Sequence, residues 1–228
     1  ERFPALAFAY RTMRDVRAFQ RQRPQPTPFG FLFMGNRAME KGEYETEETA
    51  LTRELLAEAE AFVDVGANIG FFTCLARSAG KYSIAVEPLA QNLDYLYANV
   101  DANKWSDVEV HPVGLGEQPG IATLYGGGTG ASLIRGWAGA SLLLQRKISL
   151  STLDILLGDR FPGKKLLIKV DVEGAEFALL RGAGNILCRT PAPVWIMEIG
   201  LTEHRPEGFN SEFAKTFEVF WNHGYQSW

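Results

Sequence analysis

The stretch that decides the fold is Ala61-Phe62-Val63-Asp64-Val65-Gly66-Ala67-Asn68-Ile69-Gly70, an apolar run that ends in a glycine-containing turn. A short continuous apolar run predicts a strand buried on both faces, which is typical of parallel sheets. Gly66 permits a sharp turn and the close approach of a ligand. The stretch 69–79 predicts a helix, whose first N–H groups favour an anionic group. The turn therefore predicts a ligand-binding loop between a strand and a helix.

The same alternation of apolar runs and helical patterns continues along the chain. Further strands are predicted over 82–86, 108–113, 166–170 and 194–198, and helices over 46–60, 89–103, 151–157, 175–187 and 209–223. Strands that alternate with helices predict an α/β fold with a doubly wound, mostly parallel sheet. Ligands of such folds bind beyond the carboxyl ends of the strands. We also predict a hairpin arm over 120–125. Residues 126–141, which are rich in Gly, Ala and Ser, predict a mobile loop that is able to close over the site.

Two acids at strand ends indicate the kind of ligand. Asp64 precedes the turn, where a carboxylate suits a cationic amine, such as that of the methionine part of S-adenosylmethionine. Glu87 ends the second strand and suits both hydroxyls of an adenosine ribose. The spacing Gly-x-Asn-x-Gly differs from the Gly-x-Gly-x-x-Gly of dinucleotide-binding proteins, and this favours S-adenosylmethionine over a nicotinamide cofactor. An NAD-dependent oxidoreductase stays open as an alternative.

Charged residues at the fourth strand end predict the reactive part of the site. Lys169 and Asp171 share one face of the strand, and we expect Lys169 to keep Asp171 ionised. A hydroxyl acceptor needs a general base, for which Asp171 or His204 is the first candidate and Glu198 the third. The carboxylate oxygens of Asp171, Glu173 and Glu198 are also suitable ligands for magnesium. A role in acid–base catalysis or in structural ion pairs explains these residues more simply, so we predict no bound metal.

The candidate cofactor-binding residues lie at the ends of four strands. Val113 and Gly114 are expected to line the adenine face, and Glu117 is a weaker candidate for the adenine amino group. The full predicted set is Asp64, Gly66, Ala67, Asn68, Gly70, Glu87, Pro88, Val113, Gly114, Glu117 and Asp171.

Five stretches, in order, resemble the FkbM-type methyltransferase family. They are 62–73, Val86-Glu87-Pro88, Ser151-Thr152-Leu153-Asp154, the stretch 168–176 and Met197-Glu198-Ile199, with a similar acidic lead-in over 42–48. The resemblance covers roughly residues 40–200. It implies the Rossmann-like class I methyltransferase fold, S-adenosylmethionine as methyl donor, and a hydroxyl on a sugar or secondary metabolite as acceptor. A member that binds the cofactor but has lost catalysis is a further alternative.

The resemblance leaves the start of the chain uncovered. Residues 4–22 predict an amphipathic helix with arginines at 11, 14, 17 and 21, followed by a linker with prolines at 24, 26 and 28. The arginines suit a solvated face or peripheral contact with a partner or an anionic lipid. We therefore expect a helical extension and linker over 1–39 and the S-adenosylmethionine-binding domain over 40–228.

Composition limits the remaining classes. The 228 residues carry a net charge of −4, which argues against bulk binding of nucleic acid. No run approaches the ~20 apolar residues of a membrane span. Cys74 and Cys188 are both expected to be buried free thiols in helices, which favours a reducing compartment and a cytoplasmic location. The chain begins at Glu1 and ends where a further strand is able to begin, so we expect part of a longer protein.

Overall fold

A five-stranded parallel sheet forms the centre of the molecule. The computed structural model describes residues 23–140 and 143–227. The strands of the central sheet are β3 (Ala61–Val65), β4 (Tyr82–Val86), β5 (Glu109–His111), β9 (Leu166–Val170) and β10 (Val194–Met197), in the spatial order β10-β9-β3-β4-β5. All neighbouring pairs are parallel. The predicted parallel sheet is therefore confirmed, and its order places a switch point between β3 and β9.

Helices cover both faces of this sheet. They are α1 (Arg37–Lys41), α2 (Thr46–Leu56), α3 (Phe71–Ser78), α4 (Ala90–Ala102), α5 (Leu153–Leu157), α6 (Glu176–Arg181), α7 (Gly184–Leu187) and α8 (Phe213–Asn222). Alternate strand residues point to opposite faces. Val63 and Ile168 pack with α5, α6 and α7, whereas Phe62 and Leu167 pack with α2 and α3. The sheet is thus doubly wound, as in Rossmann-like class I methyltransferases.

A second, three-stranded sheet was only partly predicted. Its strands are β6 (Gly114–Leu115), β7 (Gly120–Tyr125) and β8 (Gln145–Ser151), with β8 in the middle. The predicted arm is β7, which pairs antiparallel with β8 from Gly120↔Leu150 to Tyr125↔Gln145. The prediction missed β8 because its sequence, QRKISLS, opens with three polar residues and has only two apolar ones, Ile148 and Leu150.

The predicted helix over 175–187 is wrong in one respect, since α6 and α7 are separate. A Cβ on Gly182 would lie 2.1 Å from the carbonyl oxygen of Gly116, so the chain at this point is pressed against the second sheet. The Gly182 carbonyl accepts from Asp154, whose carboxylate in turn accepts from the N–H groups of Asn185 and Ile186. Asp154 therefore starts a new helix at this break.

Part of the predicted linker packs on the domain. A two-stranded antiparallel ribbon, β1 (Gln25–Pro26) and β2 (Leu32–Phe33), precedes α1. Phe31 and Phe33 are buried against Phe71 of α3, and Asn99 of α4 bonds both backbone groups of Met34. The boundary at 39/40 stays a prediction, although residues from Phe31 onward contribute to the same core. The predicted helix over 4–22 lies outside the described residues.

The two cysteines differ in their surroundings. Cys74 is buried within α3, as predicted, and burial raises the pKa of its thiol. The prediction for Cys188 is wrong, because this residue is exposed and follows the end of α7. Among the described residues, no helix is long and apolar enough to cross a membrane.

Candidate active site

The loops after β3 and β9 meet at the switch point of the sheet. The Asp171 N–H donates to the Val65 carbonyl at 2.9 Å, and Gly66 turns away with φ +81°. A Cβ on Gly66 would lie 1.8 Å from the carbonyl oxygen of Asp171. A glycine is thus required at position 66 because the backbone of Asp171 lies so close to it. The turn that the sequence predicted is a second reason for glycine at this position.

The N–H groups of the turn are used inside the protein. Those of Gly66 and Ala67 donate to the Val86 carbonyl, and that of Gly70 donates to the Ala67 carbonyl. The Asn68 N–H donates to Oε2 of Glu87 at 2.9 Å. The expectation of free donors at the start of the helix is therefore wrong at Gly70 and stays a prediction for the N–H groups that follow it. A pyrophosphate would find the four N–H groups of the turn occupied.

Glu87 is held at the end of β4 by several donors. Its Oε1 accepts from the Leu89 N–H at 2.8 Å and from Nδ2 of Asn92 at 3.2 Å. The residue is only 5% exposed. Burial outweighs these hydrogen bonds and raises the pKa of Glu87 to about 7. The carboxylate thus has a fixed orientation, and Oε2, which accepts one hydrogen bond, keeps a further lone pair.

An open cleft with about 620 Å³ of empty space lies beside Glu87. It runs from the end of β4 to the loop after β9. Seven predicted residues line it, namely Gly66, Asn68, Glu87, Pro88, Val113, Gly114 and Asp171. Glu173, which the sequence offered as an oxygen ligand, and Thr129, in the loop predicted to close over the site, also line the cleft. Sequence reasoning missed Asn92, Leu115, Leu124 and Ile148, which line it as well. Of these four, Asn92 had a recognisable signal, since it lies in the first turn of the helix that follows Glu87.

Asn68 joins the cleft to a smaller cavity of about 290 Å³. Its φ of +52° turns the side chain out of the loop, and its Oδ1 is buried with no hydrogen-bond partner among the described residues. A buried acceptor without a donor is costly, so this atom suits a donor on a ligand. Oδ1 of Asn68 is therefore suited to accept a hydrogen bond from a ligand group that carries N–H or O–H donors.

Asp64 and Lys169 lie side by side in the smaller cavity. They are register partners on β3 and β9, and Tyr44 and Phe72 line the cavity with them. Oδ2 of Asp64 accepts from the Thr73 hydroxyl at 2.5 Å, which ties β3 to α3. Burial raises the pKa of Asp64 to about 6, against the lowering effect of Lys169. Asp64 is thus already engaged by a protein donor.

Lys169 is the buried cation of the site. Its Nζ lies 3.2 Å from Glu48 and 3.4 Å from Asp171, and 4.5 Å from the centre of the Phe72 ring. Burial lowers the pKa of Lys169, but the carboxylates of Asp171, Asp64 and Glu48 outweigh this effect and raise it. The predicted contact between Lys169 and Asp171 is present, and Glu48 shares it.

Acidic groups gather at the Asp171 end of the cleft. Glu173 lines the cleft, and its Oε2 accepts from Nε1 of Trp137 at 2.7 Å. Burial raises the pKa of Glu173 and that of Glu198, which lies within electrostatic range of Asp171. His204 lies within range of Glu173, and its ring centre is 5.9 Å from that of Trp137. Asp171 and Glu173 therefore line the cleft directly, with Glu198 and His204 close to them.

The loop after β7 is tied to this acidic end. Ser132 donates its hydroxyl to the Glu173 carbonyl, and the Ala138 N–H donates to the His204 carbonyl. A Cβ on Gly174 would lie 2.6 Å from Trp137, which is buried. The loop therefore covers the segment 173–174, and its predicted mobility stays a prediction.

Four predicted cofactor residues lie outside the large cleft. Asp64 and Ala67 line the smaller cavity. Gly70 begins α3 with φ +87° and packs against Leu96. Glu117 forms an ion pair with Arg181 at 2.9 Å, with both side chains about half exposed. In the described ranges, no group of three or more His, Cys, Asp or Glu residues is placed to hold a metal ion.

The chain matches a known sequence family. The family described as the methyltransferase FkbM domain matches residues 64–227, which include the end of β3, the strands β4 and β9, and the residues that line the large cleft.

The chain belongs to the FkbM methyltransferase family.

Relatives of this FkbM domain are distant. Methyltransferase 1 of Beauveria bassiana (strain ARSEF 2860) is 30% identical over 141 residues, which cover 53% of the chain and 57% of that relative. The chain thus spans little more than half the length of this relative. A precorrin-6y C5,15-methyltransferase from Geobacter metallireducens GS-15 is 13% identical, with a TM-score of 0.46 over 85% of the chain and 77% of that structure. TYW2 of M. jannaschii in complex with AdoMet is 25% identical, with a TM-score of 0.28 over 36% of the chain and 37% of its own.

Proposed function

We propose that the protein transfers a methyl group from S-adenosylmethionine to a hydroxyl oxygen of a sugar or secondary metabolite. The observation that carries this proposal is the cleft at the switch point, in which the fixed carboxylate of Glu87 and the unpartnered Oδ1 of Asn68 lie beside Asp171. Membership of the FkbM family supports methyl transfer.

The adenosine part of the cofactor fits the large cleft. Oε2 of Glu87 has acceptor capacity for a ribose hydroxyl, and Val113, Gly114 and Leu115 offer a small, mostly apolar surface to the adenine ring. The amino-acid part fits the smaller cavity, which begins at Asn68. When bound, the cofactor supplies a methyl group already activated by its sulfonium.

The chain's own contribution is alignment and removal of a proton. Asp171 lines both cavities, so it lies between the two parts of the proposed cofactor site. Its Oδ2 faces Nζ of Lys169, which orients the carboxylate. We therefore assign to Asp171 the role of general base toward the acceptor hydroxyl, with Glu173, Glu198 and His204 as the groups that would replace it.

The occupied N–H groups of the turn favour this proposal over an NAD-dependent oxidoreductase. Four loop N–H groups that would hold a pyrophosphate donate to Val86, Ala67 and Glu87. Calorimetric titration of the purified protein with S-adenosylhomocysteine and with NAD tests the difference. Binding of NAD alone would overturn the methyltransferase proposal.

Transfer itself is tested with S-adenosylmethionine carrying a labelled methyl group. Oligosaccharides and glycosylated metabolites with free hydroxyls serve as acceptors, and matched compounds with those hydroxyls already methylated serve as controls. Label in the free-hydroxyl compounds only supports O-methylation. Tight binding of S-adenosylhomocysteine without label in any acceptor would favour a cofactor-binding module that has lost catalysis.

A further inference from the structure

Glu45 has an unusual backbone at the start of α2. It lies at φ +40° and ψ 57°, the left-handed region that favours glycine, and its side chain makes no capping hydrogen bond to the helix. The glutamate side chain therefore does not cap the helix. The presence of a carboxylate at position 45 needs another explanation.

The carboxylate of Glu45 is partly buried without enough partners. It hydrogen-bonds with the Tyr44 hydroxyl, but its Oε2 is buried with no hydrogen-bond partner among the described residues. Burial raises the pKa of Glu45. An unpaired buried carboxylate oxygen costs free energy, so a donor from outside the chain would stabilise it.

This carboxylate lies next to the lining of the smaller cavity, because Glu45 directly follows Tyr44 in the chain. Tyr44, Lys169 and Asp171 line the cavity, and all three interact electrostatically with Glu45. The ion pairs of Lys169 are made with Glu48 and Asp171. The Lys169 ammonium is thus paired with Glu48 and Asp171, and Oε2 of Glu45 remains available to a further cation.

The amino-acid end of the cofactor carries such a cation. Oδ2 of Asp64, the acid that the sequence assigned to the amine, is engaged by the Thr73 hydroxyl. Four carboxylates near the cavity, those of Glu45, Glu48, Asp64 and Asp171, interact with one buried lysine. An ammonium group would balance the excess negative charge and supply hydrogen-bond donors.

We propose that Glu45 binds the α-ammonium group of the cofactor's amino-acid end and that Tyr44 positions its carboxylate. This inference rests on the proposed function, because it requires the cofactor to occupy both cavities. It assigns a binding role to the acidic lead-in that precedes the glycine turn.

Two ligands that differ only in the amino-acid end test this assignment. S-adenosylhomocysteine carries the ammonium, whereas 5′-methylthioadenosine keeps the adenosine and sulfur but lacks the amino-acid end. Calorimetry compares the wild-type protein with Glu45→Gln and with the matched control Glu47→Gln, an exposed acid two residues away. We expect Glu45→Gln to weaken S-adenosylhomocysteine about 10- to 100-fold, the range for loss of a charged hydrogen bond. Its affinity for 5′-methylthioadenosine should stay within twofold, and the control should change neither ligand.

Unfolding of the unliganded protein gives a second readout. We expect the urea midpoint of Glu45→Gln to equal or exceed that of the wild type, because the substitution removes a partly buried charge. An unchanged affinity for S-adenosylhomocysteine, an equal loss for both ligands, or a lower midpoint would overturn the assignment while leaving the proposed function intact. A wild-type protein that binds neither ligand would overturn both.

Discussion

The backbone N–H of Asn68 donates to Oε2 of Glu87 across 2.9 Å, which joins the turn after β3 to the acid after β4. The turn and the acid are 19 residues apart along the chain, yet they form one rigid unit at the switch point. A ligand that contacts Glu87 therefore also lies beside Asn68, and the protonation of Glu87 affects the whole unit.

The first prediction concerns the pH dependence of ligand binding at Glu87. Its pKa of about 7 means that the carboxylate is partly protonated near neutral pH, and ribose hydroxyls donate better to the ionised form. We expect the affinity for S-adenosylhomocysteine to rise with pH up to about 7 and then level off. In Glu87→Gln the affinity should be about tenfold weaker at pH 8, with no such rise. Calorimetry between pH 5.5 and 8.5 measures both curves.

The raised pKa of Glu87 also affects the stability of the folded protein. This effect is opposite to the effect on binding, because stability falls as pH rises whereas affinity rises. Because the folded pKa is raised above the unfolded value of 4.5, the folded state binds the proton more tightly. The free energy of unfolding of the unliganded protein should therefore fall as pH rises from about 4.5 to about 7. Asp64 acts in the same direction and is present in both proteins. An equally steep fall in Glu87→Gln would contradict the assignment.

The second prediction separates catalysis from binding at Asp171. Asp171→Asn keeps the shape of the side chain but removes the proton acceptor. We expect methyl transfer to the acceptor found by screening to fall by about 10² to 10⁴, the usual contribution of a general base. Affinity for S-adenosylhomocysteine should change by less than about fivefold.

The rival bases and a control complete this test. Glu173→Gln, Glu198→Gln and His204→Gln are assayed in parallel, with Glu117→Gln as the control because that residue pairs with Arg181 away from the cleft. If one of the rivals loses more activity than Asp171→Asn, the base has been assigned to the wrong residue.

The sequence was sufficient for the central sheet and for much of the cleft. The strands β3, β4 and β9 are mostly apolar, with one polar residue each (Asp64, Ser83 and Lys169), so burial of the apolar residues dictates their type. The residues at their ends meet in the cleft because parallel strands end on one side of the sheet. Hydrogen-bond partners are different, since they depend on tertiary contacts. No sequence pattern indicates that Thr73 takes Oδ2 of Asp64 or that Val86 accepts from Gly66 and Ala67.

The parts that were missed share one physical cause. The ribbon of β1 and β2 has strands of only two residues and β8 opens with three polar residues, and all three strands are stabilised by neighbours distant in sequence. Phe31 and Phe33 pack against Phe71, and Glu173 reaches the cleft because Trp137 and Ser132 hold its loop. Such long-range contacts override local preference.

The third prediction concerns the buried cation. Lys169→Met keeps most of the apolar stem but leaves Glu48 and Asp171 without their partner. We expect the free energy of unfolding at pH 8 to fall by about 3 kcal/mol, the low end of the range for breaking a buried ion pair. The low end applies because Glu48 and Asp171 keep 25% and 24% of their side chains exposed.

A double variant identifies the cause of this loss. Lys169→Met combined with Glu48→Gln removes one of the unpaired charges and should recover part of the stability in urea unfolding at pH 8. At pH 5 the single variant should lose less, because burial raises the pKa of Asp64 to about 6 and its protonation also removes negative charge near the missing lysine. A double variant no more stable than the single variant would show that lost packing on Phe72, rather than unpaired charge, explains the effect.

The fourth prediction isolates the close approach of the two loops at the switch point. Gly66 and Gly80 have nearly equal backbone angles, φ +81° and φ +78°, but a Cβ on Gly80 meets no atom within 4 Å. Gly80→Ala should therefore cost only the left-handed strain of about 1–2 kcal/mol. Gly66→Ala adds an overlap with the Asp171 carbonyl, which backbone atoms cannot avoid without moving β3 from β9. We expect a further loss of at least about 2 kcal/mol in urea unfolding, together with weaker binding of S-adenosylhomocysteine. Equal losses in the two variants would mean that the loops separate easily, and that the geometry of the cleft does not depend on this contact.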